Sequence, residues 1–188
     1  MKAVMLSIQP KWCELIASEK KTVEVRKTKP KIDVPFKCYI YCTKDNSFAE
    51  KTLRGFDKNG KAIYYKANKG KVIGEFVCDE IDNFTRAFFD EQTARDTDEI
   101  AEFLGLTCLT YSELCSYVGL KDFYGWHITD LVIYDKPKEL SEFVKPCNHY
   151  NDCCTCDRYD YMGHKCYNEI TRPFQSWGYV KELKGETE

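Results

Sequence analysis

The chain has 188 residues, of which 43% are hydrophobic, 14% aromatic and 31% charged, so it can bury a core and is not a disordered segment. No run of eighteen apolar residues occurs and residues 1–12 turn polar at Gln9-Pro10-Lys11, which leads us to expect no membrane helix, no secretory leader and a cytoplasmic protein. The formal charge of −2 hides a division: residues 1–76 carry 17 Lys and Arg against 8 Asp and Glu, and residues 77–188 carry 11 against 22. A basic half suits a phosphate-bearing partner, although two such halves can also neutralise each other within one fold.

Taken in chain order, residues 2–7 are apolar and read as a buried strand. Pro10 suits the first turn of a helix, and Trp12, Leu15 and Ile16 carry that helix to about Glu19. Residues 22–28 alternate as a strand, with Val23 and Val25 on one face and Thr22, Glu24 and Arg26 on the other. Residues 36–43 form another strand, with Cys38 and Cys42 on the face opposite Tyr39 and Tyr41. Asp57-Lys58-Asn59-Gly60 is a hairpin signal, returned by a strand at 62–66, and Gly70 precedes an apolar strand at 72–78. Residues 82–105 read as helical, with Asp96-x-x-Glu99 opening a short helix. Thr110-x-x-Glu113 is a capping box, and Gly119 ends its helix. A strand over 124–134 is broken by Pro137, and residues 177–183 make a closing strand. Short strands joined by hairpin turns predict an α+β fold, a small mixed β-barrel with peripheral helices.

The most informative stretch is Lys21-Thr22-Val23-Glu24-Val25-Arg26. Glu24 and Arg26 lie two residues apart on one strand face, about 7 Å along the backbone, a gap their side chains can bridge. Lys21 sits where the helix ends, so its ammonium can join them. A carboxylate acceptor beside a guanidinium fork and a point cation suits a nucleobase edge or a phosphate; the same trio can equally be a solvated surface strand.

This stretch resembles the signature of the ASCH domain, a small barrel of the PUA-like superfamily, which reads G-x-K-x-x-E-x-R after a first strand and helix. Lys21, Glu24 and Arg26 match it, and Glu19 replaces the glycine. The resemblance extends upstream through residues 7–12, downstream to Gly125-Trp126-His127-Ile128 and Asp135-Lys136-Pro137, and so spans most of residues 1–144. Arg172-Pro173-Phe174-Gln175-Ser176-Trp177 is similar to the ending of phage- and prophage-borne members. The resemblance implies a cleft beside the first helix that binds RNA or a modified nucleoside. Lys21, Glu24 and Arg26 would line it, and Trp12 and Trp177 would offer stacking surfaces. Thr22, Gln175 and Ser176 complete the candidate binding set. For Trp12 and Trp126, packing in the core is the competing fate.

One branch of that family hydrolyses N4-acetylcytidine with a lysine and a threonine near the signature and a more distant glutamate. Lys21 falls on the lysine position, Glu24 stands at the threonine position, and no residue matches the glutamate. If the chain is an enzyme, Lys21 and Glu24 are its candidate catalytic pair, on an N4-acylated cytidine or, as in another branch, in ribonuclease chemistry. A third reading is a protein-interaction module that uses the acidic half and the Cys-rich loop at 147–166.

Eleven cysteines without a secretion signal argue for reduced thiols or a metal. Five of them, with two of the three histidines, fall in residues 147–166. Cys153-x-x-Cys156 is a chelating turn, and with Cys147 and Cys166 it supplies four thiolates for a structural zinc; Cys154, His149 and His164 are alternates. The other six cysteines read as small buried hydrophobes. The chain thus divides into a barrel over 1–144, a Cys-rich loop over 145–170, and a closing strand and tail over 171–188.

Overall fold

The computed structural model describes residues 2–44, 52–56, 62–66, 70–94, 98–146 and 169–183. The fold is mixed α+β. Its elements are β1 (Lys2–Ile8), α1 (Pro10–Ala17), β2 (Val23–Arg26), β3 (Phe36–Cys42), β4 (Thr52–Phe56), β5 (Ala62–Lys66), β6 (Val72–Cys78), β7 (Ile81–Phe84), α2 (Arg86–Ala94), α3 (Asp98–Thr107), α4 (Tyr111–Val118), β8 (Phe123–His127), β9 (Thr129–Lys138) and β10 (Trp177–Lys181). Among the described residues the strands form a five-stranded sheet β10-β1-β3-β6-β9, a three-stranded sheet β2-β8-β7 and the hairpin β4-β5. Among the described residues only β1 and β3 pair in parallel, joined by the crossover that carries α1 and β2. The large sheet has β10 and β9 at its edges, with no ladder between them, so a closed barrel is not formed by these pairings.

Period-2 patterning explains the layering. One face of the large sheet, with Leu6, Ile40 and Phe76, packs on α1 through Cys13 and Ile16 and on Trp126 of β8. The opposite face, with Met5, Tyr39 and Tyr41, is covered by Phe143 and Ile170. The outer face of the small sheet, Val23, Val25 and Phe123, lies under Phe89, Phe103 and Leu114 of α2, α3 and α4. β2 is therefore covered on both faces, and all four of its residues are buried.

Several boundaries differ from the sequence expectation. α1 stops at Ala17, and Glu19 follows in the left-handed region at φ +58°. The Glu19 N–H bonds Ile16 O at 2.8 Å and the Lys20 N–H bonds Leu15 O at 2.9 Å, the paired bonds of a Schellman turn. The turn expected at the signature glycine thus forms with a glutamate. The expected helical stretch begins instead with the strand β7. The 124–134 strand is two strands, interrupted at Ile128, whose N–H bonds Thr22 O at 2.9 Å. Pro137 does not break β9, because β9 is an edge strand and its register slips between its pairings at Ile133 and Lys138.

The capping box at α4 is formed, and Gly119 ends that helix at φ +65°. Cys13, Cys38, Cys42 and Cys78 are buried as expected, but Cys108 and Cys115 are only half-buried. Cys115 Sγ instead accepts from Arg86 at 3.3 Å. The candidate zinc ligands Cys147, Cys153, Cys156 and Cys166, with Cys154, His149 and His164, lie outside the described residues. On either side of that segment Val144 and Glu169 form an antiparallel bridge. No group of three or more His, Cys, Asp or Glu among the described residues is placed to hold a metal. No helix among them is long and apolar enough to cross a membrane.

Candidate functional site

The Schellman turn at Glu19 throws the chain back across the end of α1, so that Lys21 enters the interior just before β2. Its side chain is 2% exposed. Nζ donates to Val23 O at 2.9 Å and to Thr107 O at 2.7 Å, and it lies 3.3 Å from Glu24 Oε2. Thr107 ends α3, where unpaired carbonyls favour a cation. An ammonium has three hydrogens, and three acceptors surround this one.

Glu24 and Arg26 share the inward face of β2. Glu24 Oε1 meets Arg26 Nη2 at 2.9 Å, so the carboxylate bridges two cations. Arg26 then reaches out of its own sheet. Nη2 donates to Ser7 O at 3.0 Å, and Nη1 donates to Ser176 O at 3.1 Å and Ser176 Oγ at 3.2 Å. Its Nε–H has no partner among the described residues. Ser176 is held in place because Ser7 Oγ–H donates to Phe174 O at 2.6 Å and Ser7 N–H donates to Ser176 O at 2.9 Å. The trio is thus a buried, mutually hydrogen-bonded cluster with two positive charges and one negative. A solvated surface strand is excluded.

The cluster forms one wall of a cleft of about 730 Å³. Trp12, Lys21, Glu24, Arg26, Gln175 and Ser176, all expected from the sequence, line it together. Trp12 is half-buried: it packs on the core from α1 and also faces the cleft, with Lys21 Nζ 5.2 Å from its ring centroid. Two expected residues stand elsewhere. Thr22 borders a second, smaller pocket of about 280 Å³, which it shares with Lys21, and its buried hydroxyl has no partner among the described residues. Trp177 does not line the cleft; it packs on Trp126 at 5.9 Å between ring centroids and donates from Nε1 to Thr28 Oγ1 at 2.9 Å. Trp126 is fully buried.

The cleft also takes residues that the sequence did not single out: Lys27 and Thr28 after β2, Glu113 and Tyr117 from α4, and Lys121 beyond it. Among the described residues, four of the charged side chains lining it are cationic and two acidic. Glu113 is held well below the usual carboxylate range, at about 2, by the Thr110 backbone N–H, by Lys11 at 2.9 Å and by the Thr110 hydroxyl. Burial pushes the Tyr117 hydroxyl up, with the Arg26 charge opposing and the Glu24 charge adding to that shift. Tyr117 therefore belongs to the same electrostatic neighbourhood as the trio.

Cys13, in the adjacent core, is a fully buried thiol. Burial and its Cys42 neighbour drive its pKa far above the usual value, which leaves it unsuited to act as a nucleophile. His127, the histidine outside the Cys-rich segment, pairs with Asp82 at 2.8 Å and does not line the cleft.

No family model and no curated protein matches the chain. Among solved structures it is similar to the ASCH protein from Zymomonas mobilis at 18% identity, over 73% of this chain and 73% of that one, with a TM-score of 0.48. It is similar to two single-residue variants of that protein, also at 18% identity and each with a TM-score of 0.47; the first covers 74% of this chain and 77% of the other, the second 73% and 74%.

Proposed function

We propose that the cleft binds RNA or a modified nucleoside, with Glu24 and the surrounding cations reading the base edge and Trp12 stacking on it. The observation that carries this reading is the Glu24 carboxylate, fixed between Lys21 and Arg26 on the wall of a cleft that falls within the roughly 300–1,000 Å³ of small-molecule sites. A carboxylate offers about four acceptor positions, and the two ion pairs leave others for N–H groups of a base. Because the cluster is ordered before any ligand arrives, little entropy is lost on binding. The excess of cationic side chains favours a ligand that carries phosphate.

Binding is favoured over turnover by the contacts of Lys21. A lysine acting as base or nucleophile must turn its Nζ toward the substrate, and here Nζ is engaged by two carbonyls and a carboxylate. The hydrolase reading requires that anchorage to be given up.

The test is a binding screen of ribonucleosides, N4-acetylcytidine among them, and short RNAs, with the same samples checked for conversion. Trp12→Ala should weaken the best ligand about 5- to 150-fold, the range of one stacked base. If no nucleoside or RNA binds, or if Trp12→Ala leaves affinity unchanged, the reading fails. Conversion that disappears in Lys21→Ala would establish the hydrolase instead.

We also propose that residues 147–166 bind one structural zinc through Cys147, Cys153, Cys156 and Cys166, on the strength of the ligand spacing.

A further inference from the structure

Tyr117 stands at the mouth of the cleft with an unusual combination of properties. Its residue is 41% exposed, yet burial and the charges of Glu24 and Arg26 act on its hydroxyl. The side chain therefore lines the cleft while part of it remains open to solvent. Lys27 Nζ lies 5.0 Å from the ring centroid, and Lys121 lines the same rim. Neither lysine has a salt-bridge partner among the described residues. These features differ in kind from the buried trio: they offer a partly exposed aromatic face and two exposed point charges.

We propose that Tyr117, Lys27 and Lys121 form a second subsite that holds a nucleotide flanking the one in the cleft, so that the protein prefers a base carried in a single strand over a free nucleoside. The proposal rests on the nucleoside-binding reading of the cleft and extends it outward. A base stacked on Tyr117 needs no particular identity, because every base has a π-face. Each ammonium neutralises backbone phosphate, which a free nucleoside lacks. A tyrosine ring has few rotatable bonds, so little side-chain freedom is lost when a base lands on it. A single strand fits better than a duplex, since both stacking faces require unpaired bases. RNA and DNA strands share this chemistry, and separate experimental arms distinguish them.

The experiment compares binding of mixed-sequence single-stranded RNA and DNA 12-mers with the best-binding ribonucleoside, across a salt series, with poly-glutamate as a polyanion control. The wild-type protein should bind a strand at least tenfold more tightly than the nucleoside. Tyr117→Ala should shrink that ratio about 5- to 150-fold, and Tyr117→Phe should retain it, since the ring is what stacks. Lys27→Ala with Lys121→Ala should reduce the log–log salt slope for the strand by about 1.4, at roughly 0.7 per phosphate contact. All three residues changed are at the surface, and thermal melts confirm folding. The subsite is overturned if nucleoside binds but strands bind no better, if Tyr117→Ala leaves the ratio unchanged, or if poly-glutamate competes as well as a strand. Absence of both nucleoside and strand binding instead overturns the underlying reading of the cleft.

Discussion

Glu24 and Arg26 meet at 2.9 Å with side chains only 9% and 6% exposed, two residues apart on a strand that is covered on both faces. Lys21 completes the cluster from the other carboxylate oxygen. Removing the single anion would leave two buried cations facing each other without a partner. Glu24→Gln keeps the shape and removes the charge, and it should destabilise the fold by about 3–5 kcal/mol, the cost of breaking a buried pair. Urea unfolding measures this. The exposed pair Lys11–Glu113 is the control: Lys11→Ala should cost under about 1 kcal/mol. Equal losses in the two variants would mean that burial of the trio contributes nothing.

The turn that delivers Lys21 holds a glutamate in a conformation better suited to glycine. Glu19 at φ +58° is exposed, so its side chain contributes no packing to offset the backbone strain. Glu19→Gly should raise stability by about 1 kcal/mol and the melting temperature by about 2–4 °C. Gly119→Ala provides the opposite sign. An added Cβ there meets nothing, but φ +65° with ψ −129° is a glycine conformation, so the cost of about 1–3 kcal/mol is purely conformational. A lower melting temperature in Glu19→Gly would contradict the assignment of strain.

Glu113 makes stability depend on acid. Its folded-state value of about 2 lies below the ordinary 4.5, so the folded form releases this proton more readily than the unfolded chain. The resulting stabilisation is present above about pH 4.5 and is lost as the pH falls toward 2. Because Glu113 is 41% exposed, solvent screens the effect and the loss is modest. Thr110→Ala removes the hydroxyl that caps the Glu113 N–H and should cost about 1 kcal/mol at neutral pH. It should also flatten the fall in urea midpoint between pH 4.5 and 2. An unchanged slope would locate the acid sensitivity elsewhere.

The Cys-rich segment is tested by metal content. Protein purified in reductant should carry about one zinc per chain, and Cys153→Ser with Cys156→Ser should abolish it. Well under one zinc in the unaltered protein would rule the site out.

Much of this architecture was legible because it is local. The strand at 72–78 is β6 to the residue, and the Thr110-x-x-Glu113 box and its Gly119 stop follow from hydrogen bonds spanning a few positions. The alternation at 22–28 placed Glu24 and Arg26 on one face correctly. It could not show that this face is buried, because the covering groups, Ser7, Thr107 and Ser176, come from distant parts of the chain. β7 escaped notice because Ile81–Phe84 is short and only partly buried, without a clear period of two. Tyr117 was missed for a related reason. At three residues from Leu114 it reads as one more apolar position on α4, and nothing in the sequence joins it to Lys27, ninety positions earlier.

Arg26 takes its anchors from Ser7, 19 residues before it, and from Ser176, 150 residues after it. This fixes a timetable as well as a geometry. A chain emerging from the ribosome at about 5–20 residues per second exposes Arg26 on the order of ten seconds before Ser176 is made. Through that interval the basic half can collapse and the helices can form, yet the guanidinium has no settled orientation and the cleft lacks the wall that Gln175 and Ser176 provide. Competence to recognise a ligand is therefore acquired only after Ser176 has been made and β10 docks against β1.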